Sequence, residues 1–368
     1  MNISPEKLRK YSIEIFTKAG VCENDAAIVA EELVTANLYG VDSHGVLRIP
    51  QYVEEINKGN IIPNAPVTVT RETPTTVIID GNHNFGQVVG RKMVSTVSEK
   101  AKKTLLACGI CLHAYHAGRI GAWVEGLANQ GMIGLCAVAS YHSGPVAPWG
   151  AAEPRLSTNP IAFAAPRRGH KPLFLDFSTS VVAEGKVRTY LQEGKKVPLG
   201  WIRDASGNDT TDPIDFYKIP QGTILPLGGI NGGMKGSALS IMTDILSIAL
   251  ANTDYWTCLE KNESPEAESG IFLLAIDPDG FFGREAFEEQ CEKHCMYFKS
   301  AKPLPGVSEV LLPGEFEYSV EKSRLEKGID LLEATWIELV KTAQSLHCEW
   351  SRDIHLPSYN DNAFLRYY

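Results

Sequence analysis

Apolar residues in the first sixty positions recur every three or four places, the spacing of helices that bury one stripe. Ser4, Pro5 and Glu6 predict a helix start, with Leu8, Ile15 and Ala19 inward and Gly20 as the stop. A second helix is expected from Asn24 or Asp25, carrying Ala26, Val29, Ala30, Leu33 and Val34 on its inner stripe as far as Gly40. Gly45 to Gly59 keeps a helical period despite Pro50. From Val67 the pattern shortens to β-rich runs at Thr76 to Ile79 and Leu105 to Leu112, separated by a helical segment Gln87 to Lys102. Further strands are predicted at Ile133 to Ala139, Ile161 to Ala165, Leu173 to Phe177 and Ile271 to Ile276. Helices at Ser237 to Ala251 and Lys322 to Ser345 bracket the last of these, and His347 to Tyr368, without period, reads as an arm for a neighbouring surface or subunit. The pattern is that of a mixed α/β protein, with no internal repeat.

At 368 residues the chain exceeds one ordinary domain, so two lobes are expected. Its net charge of -9 offers no positive field to a nucleic-acid backbone or an anionic membrane. Apolar runs such as Met132 to Ala139 fall short of the roughly 20 residues of a membrane span, and Met1 to Gly20 is too charged for a signal peptide, so a cytoplasmic protein is expected. The 8 cysteines then read as reduced thiols. Cys108 and Cys111 form a Cys-x-x-Cys inside an apolar run that reads as a buried strand, where core packing competes with a redox role. Cys291, His294 and Cys295 lack a second ligand pair at zinc spacing.

Candidate chemistry is concentrated in three places. Asp42-Ser-His-Gly-Val-Leu-Arg48 would set His44 and Arg48 four apart on one helical face, an imidazole beside a guanidinium that suits an anionic substrate. The competing reading is a helix cap by Ser43 and a surface salt bridge by Arg48. His116 follows a predicted buried strand directly, where α/β proteins commonly place functional side chains. With His113 and His142 it could also be read as a zinc triad, but no His-Glu-x-x-His pattern accompanies it. The third place is Gly228 to Gly236. It resembles a phosphate loop leading into a helix at Lys235, but Met234 separates glycine from lysine and Gly236 replaces the magnesium-binding hydroxyl. The dinucleotide fingerprint Gly-x-Gly-x-x-Gly and the Gly-x-Ser-x-Gly nucleophile elbow are both absent.

Taken together, these stretches resemble the type 2 malate/L-lactate dehydrogenase family, which includes ureidoglycolate and sulfolactate dehydrogenases, diketogulonate reductase and reductases of cyclic imines. The resemblance rests on Gly40-Val-Asp-Ser-His-Gly-Val-Leu-Arg-Ile-Pro50, His116-Ala-Gly-Arg-Ile-Gly121, Ala147-Pro-Trp-Gly150 and Ser157-Thr-Asn-Pro160. Leu175-Asp-Phe-Ser-Thr-Ser180, Gly185-Lys-Val187, Pro226-Leu-Gly-Gly229, Lys235-Gly236 and Pro313-Gly-Glu315 continue it, in the family's order, from near residue 4 to about 345.

The resemblance implies an α/β (α+β) fold, with a helical N-terminal lobe and a largely antiparallel, non-Rossmann sheet that binds NAD or NADP. It implies four parts: 1–115, helical, for substrate and dimerisation; 116–312, for the cofactor; 313–345, a helix returning to the first lobe; and 346–368, the arm. The implied cofactor residues are His116, Gly118, Arg119, Ile120, Thr158, Asp176, Phe177, Ser178, Lys235, Gly236, Pro313, Gly314 and Glu315, and no metal is implied. Ser43 and His44 would serve catalysis with His116 as rival acid/base, Arg48 would bind a small carboxylate, and a homodimer or larger homo-oligomer is expected.

Three departures bear on specificity. Lys186 stands where the cyclic-imine reductases carry an Asp, Met234 replaces a frequent His, and Ser140, Tyr141 and His142 replace an Asn-rich stretch. The expected reaction is hydride transfer between nicotinamide and C2 of a 2-hydroxy or 2-oxo acid. Reduction of a cyclic imine carboxylate or a 2,3-diketo acid is the near alternative, and a catalytically silent ligand-binding homologue the distant one.

Overall fold

The computed structural model describes residues 1–140, 144–252 and 269–356. The elements run β1 Asn2–Ile3, α1 Pro5–Lys18, α2 Glu23–Leu38, α3 Ile49–Lys58, β2 Thr68–Glu72, β3 Thr76–Asp80, α4 Gly86–Thr104, β4 Leu106–Ala114 and α5 Gly121–Ala128. They continue β5 Ile133–Ser140, β6 Ile161–Ala165, β7 Leu173–Phe177, α6 Glu184–Gln192, β8 Ile202–Arg203, β9 Asp209–Thr210, α7 Pro213–Tyr217, β10 Thr223–Ile224 and α8 Gly229–Ser247. The last are β11 Ser269–Ile276, α9 Arg284–Lys299, α10 Glu315–Lys327, β12 Ile329–Asp330 and α11 Glu333–Ser345.

The chain forms two compact units, one of residues 1–59 with 317–368 and one of residues 60–316. This corrects the expected boundary at 115. Parallel pairing of β3 with β4 draws residues 60–115 into the sheet unit, so the helical part ends at Gly59.

In the first unit, Ser4 Oγ caps α1 by accepting from Lys7 N, with Pro5 in the first turn, and Leu8, Ile15 and Phe16 are buried. Arg9 ties α1 to α2 through Glu31 at 2.5 and 3.3 Å. The helix expected over Lys322 to Ser345 is broken by Gly328 at φ +87°, a backbone that only glycine adopts freely, and β12 then pairs with β1. The described part of the C-terminal arm packs on its own unit. Trp350 stacks on Tyr11 at 4.0 Å, and Gln344 Nε2 donates to the Ser351 and Ile354 carbonyls. Residues 357–368 of that arm lie outside the described residues.

The second unit is built on a seven-stranded sheet of order β2-β3-β4-β11-β5-β6-β7, antiparallel at every pairing except β3 with β4. Side chains alternate across it. Gly109 of β4 lets Val97 and Met93 of α4 approach closely, while Ile110, Ala137 and Phe272 point the other way and pack with Leu246 near the end of α8 and Ala251 in the turn after it. A smaller sheet, β10-β8-β9, has its own core of Val146, Val187, Ile202, Phe216 and Ile224.

Helix α8 begins at Gly229, well before the expected Ser237, because the glycine run winds into the helix itself. With the short turn that follows, Gly229–Ala251 is long and apolar enough to span a membrane by length and composition, contrary to the reading of the sequence. Its buried face consists of Gly233, Gly236, Ser237, Ser240, Thr243 and Ser247, small residues that let it approach its own unit closely.

On this helix Asp244 accepts from Asn159 Nδ2 at 3.0 Å, and burial pushes its carboxyl up to about 6 in spite of that bond. A raised carboxyl favours the fold below its unfolded value of 3.8 and loses that contribution as pH rises through about 6. Asp244→Asn cannot titrate. It should therefore gain on the wild type by about 2 to 3 kcal/mol between pH 4 and 6.5 in parallel urea titrations, and a constant difference across that range would refute the assignment.

Candidate active site

In the first unit the expected helix from Gly45 does not start there. Asp42–His44 and Val46–Arg48 are two separate 3-10 turns, and Gly45 between them is extended at φ -90°, ψ -155°. His44 and Arg48 therefore do not share a helical face. Serine is not a helix cap here either: Ser43 Oγ lies 2.9 Å from His44 Nδ1. Arg48 bonds to neutral groups, its Nε donating to the Ser43 carbonyl at 2.9 Å and its Nη1 to Gln51 Oε1 at 2.8 Å. Ser43 thus contacts both the imidazole, through its hydroxyl, and the guanidinium, through its carbonyl.

The conformation of this turn is set by residues that the motif alone does not reveal. Asn37, buried at the end of α2, donates to Asp42 Oδ1 at 2.6 Å and accepts from Val46 N at 2.9 Å. A Cβ on Gly45 would lie 2.3 Å from the Asn37 amide, so a glycine is needed there. Asp42 is also gripped by Arg324 of α10 at 2.7 and 3.0 Å. Nothing in the spacing of a single sequence links positions 42 and 324; an Asn one residue before the end of a helix, Asn37, was the available sign.

In the second unit, most of the family-like stretches converge. Residues His116 to Ile120 form the loop after β4, with His116 half-buried, and Gly118 takes φ +73°. Asp176 of β7 accepts from Gly121 N at 2.7 Å, placing a carboxylate at the start of α5 where the helix dipole favours it. Arg119 is buried, with Nη1 2.6 Å from Glu125 and its guanidinium 5.7 Å from the Phe174 ring, so its charge is matched inside the protein. Thr179 donates through backbone and hydroxyl to the Thr158 carbonyl, and Leu227 N donates to the Thr179 carbonyl at 2.8 Å. Ser178 and Ser180 hydroxyls lie 3.1 Å apart. The Trp149 ring packs against Gly233, and Trp149 N donates to Ser237 Oγ, which joins Ala-Pro-Trp-Gly to α8. Gly236 allows α8 to lie directly on the Leu227 backbone.

Lys235, expected to open the helix, is exposed in its second turn, so the helix start is presented by the glycines before it. The Pro313 carbonyl accepts from Phe174 N at 3.4 Å, Gly314 is buried, and the Glu315 carboxylate is held by Lys299 at 2.7 Å and Leu312 N at 2.9 Å. Those bonds keep the Glu315 carboxyl below its ordinary value against the opposing effect of burial. Phe177 is exposed beside Asp176.

Among the described residues no three His, Cys, Asp or Glu side chains could hold an ion. His113 Nδ1 is 3.0 Å from Asp80, and its ring stacks on His83 at 5.4 Å, while His142 and Tyr141 lie outside the described residues. On α9, Cys295 is buried whereas His294 is exposed and bonds to the Gln290 carbonyl. Lys186 is exposed with its ammonium 5.8 Å from the centre of the Trp201 ring.

A sequence profile described as malate/L-lactate dehydrogenase matches residues 3–340. The malate dehydrogenase of Pyrococcus horikoshii is 36% identical over 354 residues, 95% of this chain and 96% of that protein. The L-sulfolactate dehydrogenase of Methanocaldococcus jannaschii is 36% identical over 330 residues, 89% of this chain and 91% of the other. Among solved structures, malate dehydrogenase from Entamoeba histolytica superposes with a TM-score of 0.88 at 30% identity, covering 97% of this chain and 99% of that one.

The two thiols of Cys-x-x-Cys, three positions apart on β4, point to opposite faces of the sheet, and burial pushes both above the ordinary thiol range. A thiol reagent followed by peptide mapping should label exposed Cys22 in the native protein and reach Cys111 and Cys136 only on unfolding. A Cys108–Cys111 disulfide formed under mild oxidant would overturn this.

Proposed function

This chain belongs to the malate/L-lactate dehydrogenase family, and on that premise we propose that it moves a hydride between a nicotinamide cofactor and C2 of a small 2-hydroxy or 2-oxo acid. It is an oxidoreductase acting on CH–OH groups. The observation that carries the reading is the turn in which Ser43 Oγ sits 2.9 Å from His44 Nδ1 while the Ser43 carbonyl holds Arg48 Nε at 2.9 Å.

With Nε and one Nη1 proton occupied, Arg48 keeps the Nη1/Nη2 edge to clamp a carboxylate at two points. Ser43 holds Nδ1 of His44 and so orients the ring, with Nε2 as the atom that exchanges a proton with the substrate oxygen. His116, at the end of β4, is the second candidate for that proton. A 2-oxo acid is preferred to a cyclic imine because Lys186, set against Trp201, brings no carboxylate to a proton relay.

On this reading NAD or NADP is held by His116, Gly118, Arg119, Ile120, Thr158, Asp176 to Ser178, Lys235, Gly236 and Pro313 to Glu315. Arg119 contributes through its backbone, since its guanidinium is matched by Glu125. The residues fit such a group. Gly228, Gly229 and Gly232 open the 19-residue α8, and a Cβ on Gly232 would meet nothing within 4 Å, which leaves the backbone there approachable by a pyrophosphate. When bound, the nicotinamide supplies or accepts the hydride; the chain supplies the clamp, the proton and the binding surface. This part of the reading has the cofactor on a largely antiparallel sheet rather than a doubly wound one, in a homodimer acting in the cytoplasm, without nucleic acid or membrane partners.

The test is loss of reduced-nicotinamide absorbance with NADH and NADPH against pyruvate, oxaloacetate, sulfopyruvate and other 2-oxo acids. Turnover with at least one pair is expected; none, together with no cofactor binding by titration, rules the reading out. His44→Asn should then lower turnover by about 100-fold or more with cofactor affinity unchanged. Arg48→Lys should raise the substrate KM and slow hydride transfer together. If His44→Asn keeps the wild-type ionisation in the kcat/KM profile and His116→Asn loses it, the two histidines exchange roles.

A further inference from the structure

We propose that Arg324 is a positioning residue for the substrate-binding turn, holding His44 and Arg48 in their working relation without touching substrate itself; the proposal rests on the function given above. Short 3-10 turns carry poor hydrogen bonds and do not hold a shape alone. Here the backbone supplies His44 N to the Val41 carbonyl, Gly45 N to Asp42 and Arg48 N to Gly45, each at 3.0 to 3.1 Å, and Ile49 N to Val46, with an extended glycine in the middle. The geometry is completed by side chains. Arg324 grips both oxygens of Asp42 through Nη1 and Nη2, the planar two-point contact that a lysine cannot reproduce.

The same Nη1 donates to the Asn37 carbonyl in the last turn of α2, where a cation answers both an unsatisfied acceptor and the helix dipole. The Asn37 side chain then bonds to Asp42 on one side and to Val46 N on the other, bridging the two turns across Gly45. Two further contacts seat α10 along this junction: Tyr318 meets Tyr39 edge-on at 5.7 Å, and a Cβ on Gly40 would be 3.3 Å from Val320. One guanidinium thus fixes the acid next to Ser43 and the helix end that the turn springs from. Its displacement would move the Ser43 carbonyl, and with it the Arg48 fork that this carbonyl orients.

The experiment compares the wild type with Arg324→Lys, Arg324→Ala, Asp42→Asn and the double variant Asp42→Asn/Arg324→Ala. Arg9→Ala serves as control, because Arg9 makes a similar fork to Glu31 in the same unit, away from the turn. For Arg324→Ala the substrate kcat/KM should fall about 10- to 100-fold with the cofactor KM within about two-fold. Arg324→Lys should recover part of the loss, and the double variant should be no worse than Arg324→Ala alone, because both break one contact. Arg9→Ala should lower Tm and leave substrate KM and the pH profile of kcat/KM unchanged.

If Arg324→Ala behaves like Arg9→Ala, losing only Tm, the residue is a staple and the proposal is wrong. A second readout does not depend on activity: the ¹⁵N imidazole resonances of His44 should shift in Arg324→Lys and Asp42→Asn while those of His294 stay in place, and an unmoved His44 overturns the proposal. Should the wild type turn over no 2-oxo acid while His44 moves as expected, the function falls and the positioning role stands.

Discussion

The architecture of the larger unit depends on one strand arriving late in the chain. Strand β11 inserts between β4 and β5 and pairs antiparallel with both along nearly its whole length. Ile271, Leu273 and Ala275 are buried, as is Phe272 on the opposite face among Ile110, Ala137 and Ala251. A strand covered on both faces must be apolar at every position, and Ile271 to Ile276 is an unbroken apolar run. Without it β4 and β5 would each present a bare edge to water. Its insertion fixes β4, and so the point at which the His116 loop leaves the sheet.

Polar groups, by contrast, decide the fine shape of the 42–48 turn and of the contacts around α8. Apolar packing tolerates small shifts at modest cost, whereas a buried amide or carboxylate with fixed partners does not. Asn37 and Asn159 illustrate this. Each is almost fully buried and each reaches several partners, Asn37 across the 42–48 turn and Asn159 from the Ser-Thr-Asn-Pro stretch to Ser240 and Asp244 of α8. Asn159 also adopts φ +36°, a conformation that asparagine tolerates better than most residues. In this protein the asparagines act as joints between elements that the hydrophobic core leaves free to slide.

The departures from the family pattern acquire physical meaning in this setting. Lys186 lies along an aromatic ring instead of beside an imidazole, and Met234 is exposed on α8 one residue before Lys235. Neither position disturbs the contacts that join Trp149, Gly233, Gly236 and Leu227. The framework around α8 can therefore be shared with relatives whose substrates differ, while exposed side chains on it vary.

Much was legible in the chain itself. Hydrophobic spacing located α1, α2, α4 and every strand of the large sheet except the fully exposed β2, because periodicity reports directly which side of an element is buried. Residue chemistry singled out Ser43, His44, Arg48 and His116, and the motifs carried the family. Other features were decided only by tertiary structure. Glycine at 45 and the run from 228 to 236 are compatible with either loop or helix, since a residue without a side chain carries no burial pattern; contact with Asn37 opened one, and packing on Leu227 wound the other. The order of strands, the boundary at Gly59 and the bond from Arg324 back to Asp42 join residues far apart in sequence, and local spacing holds no record of such partners. The sequence thus determined the spacing of buried positions and the motifs that mark the family. The fold decided how they are held, because that depends on side chains meeting across hundreds of positions.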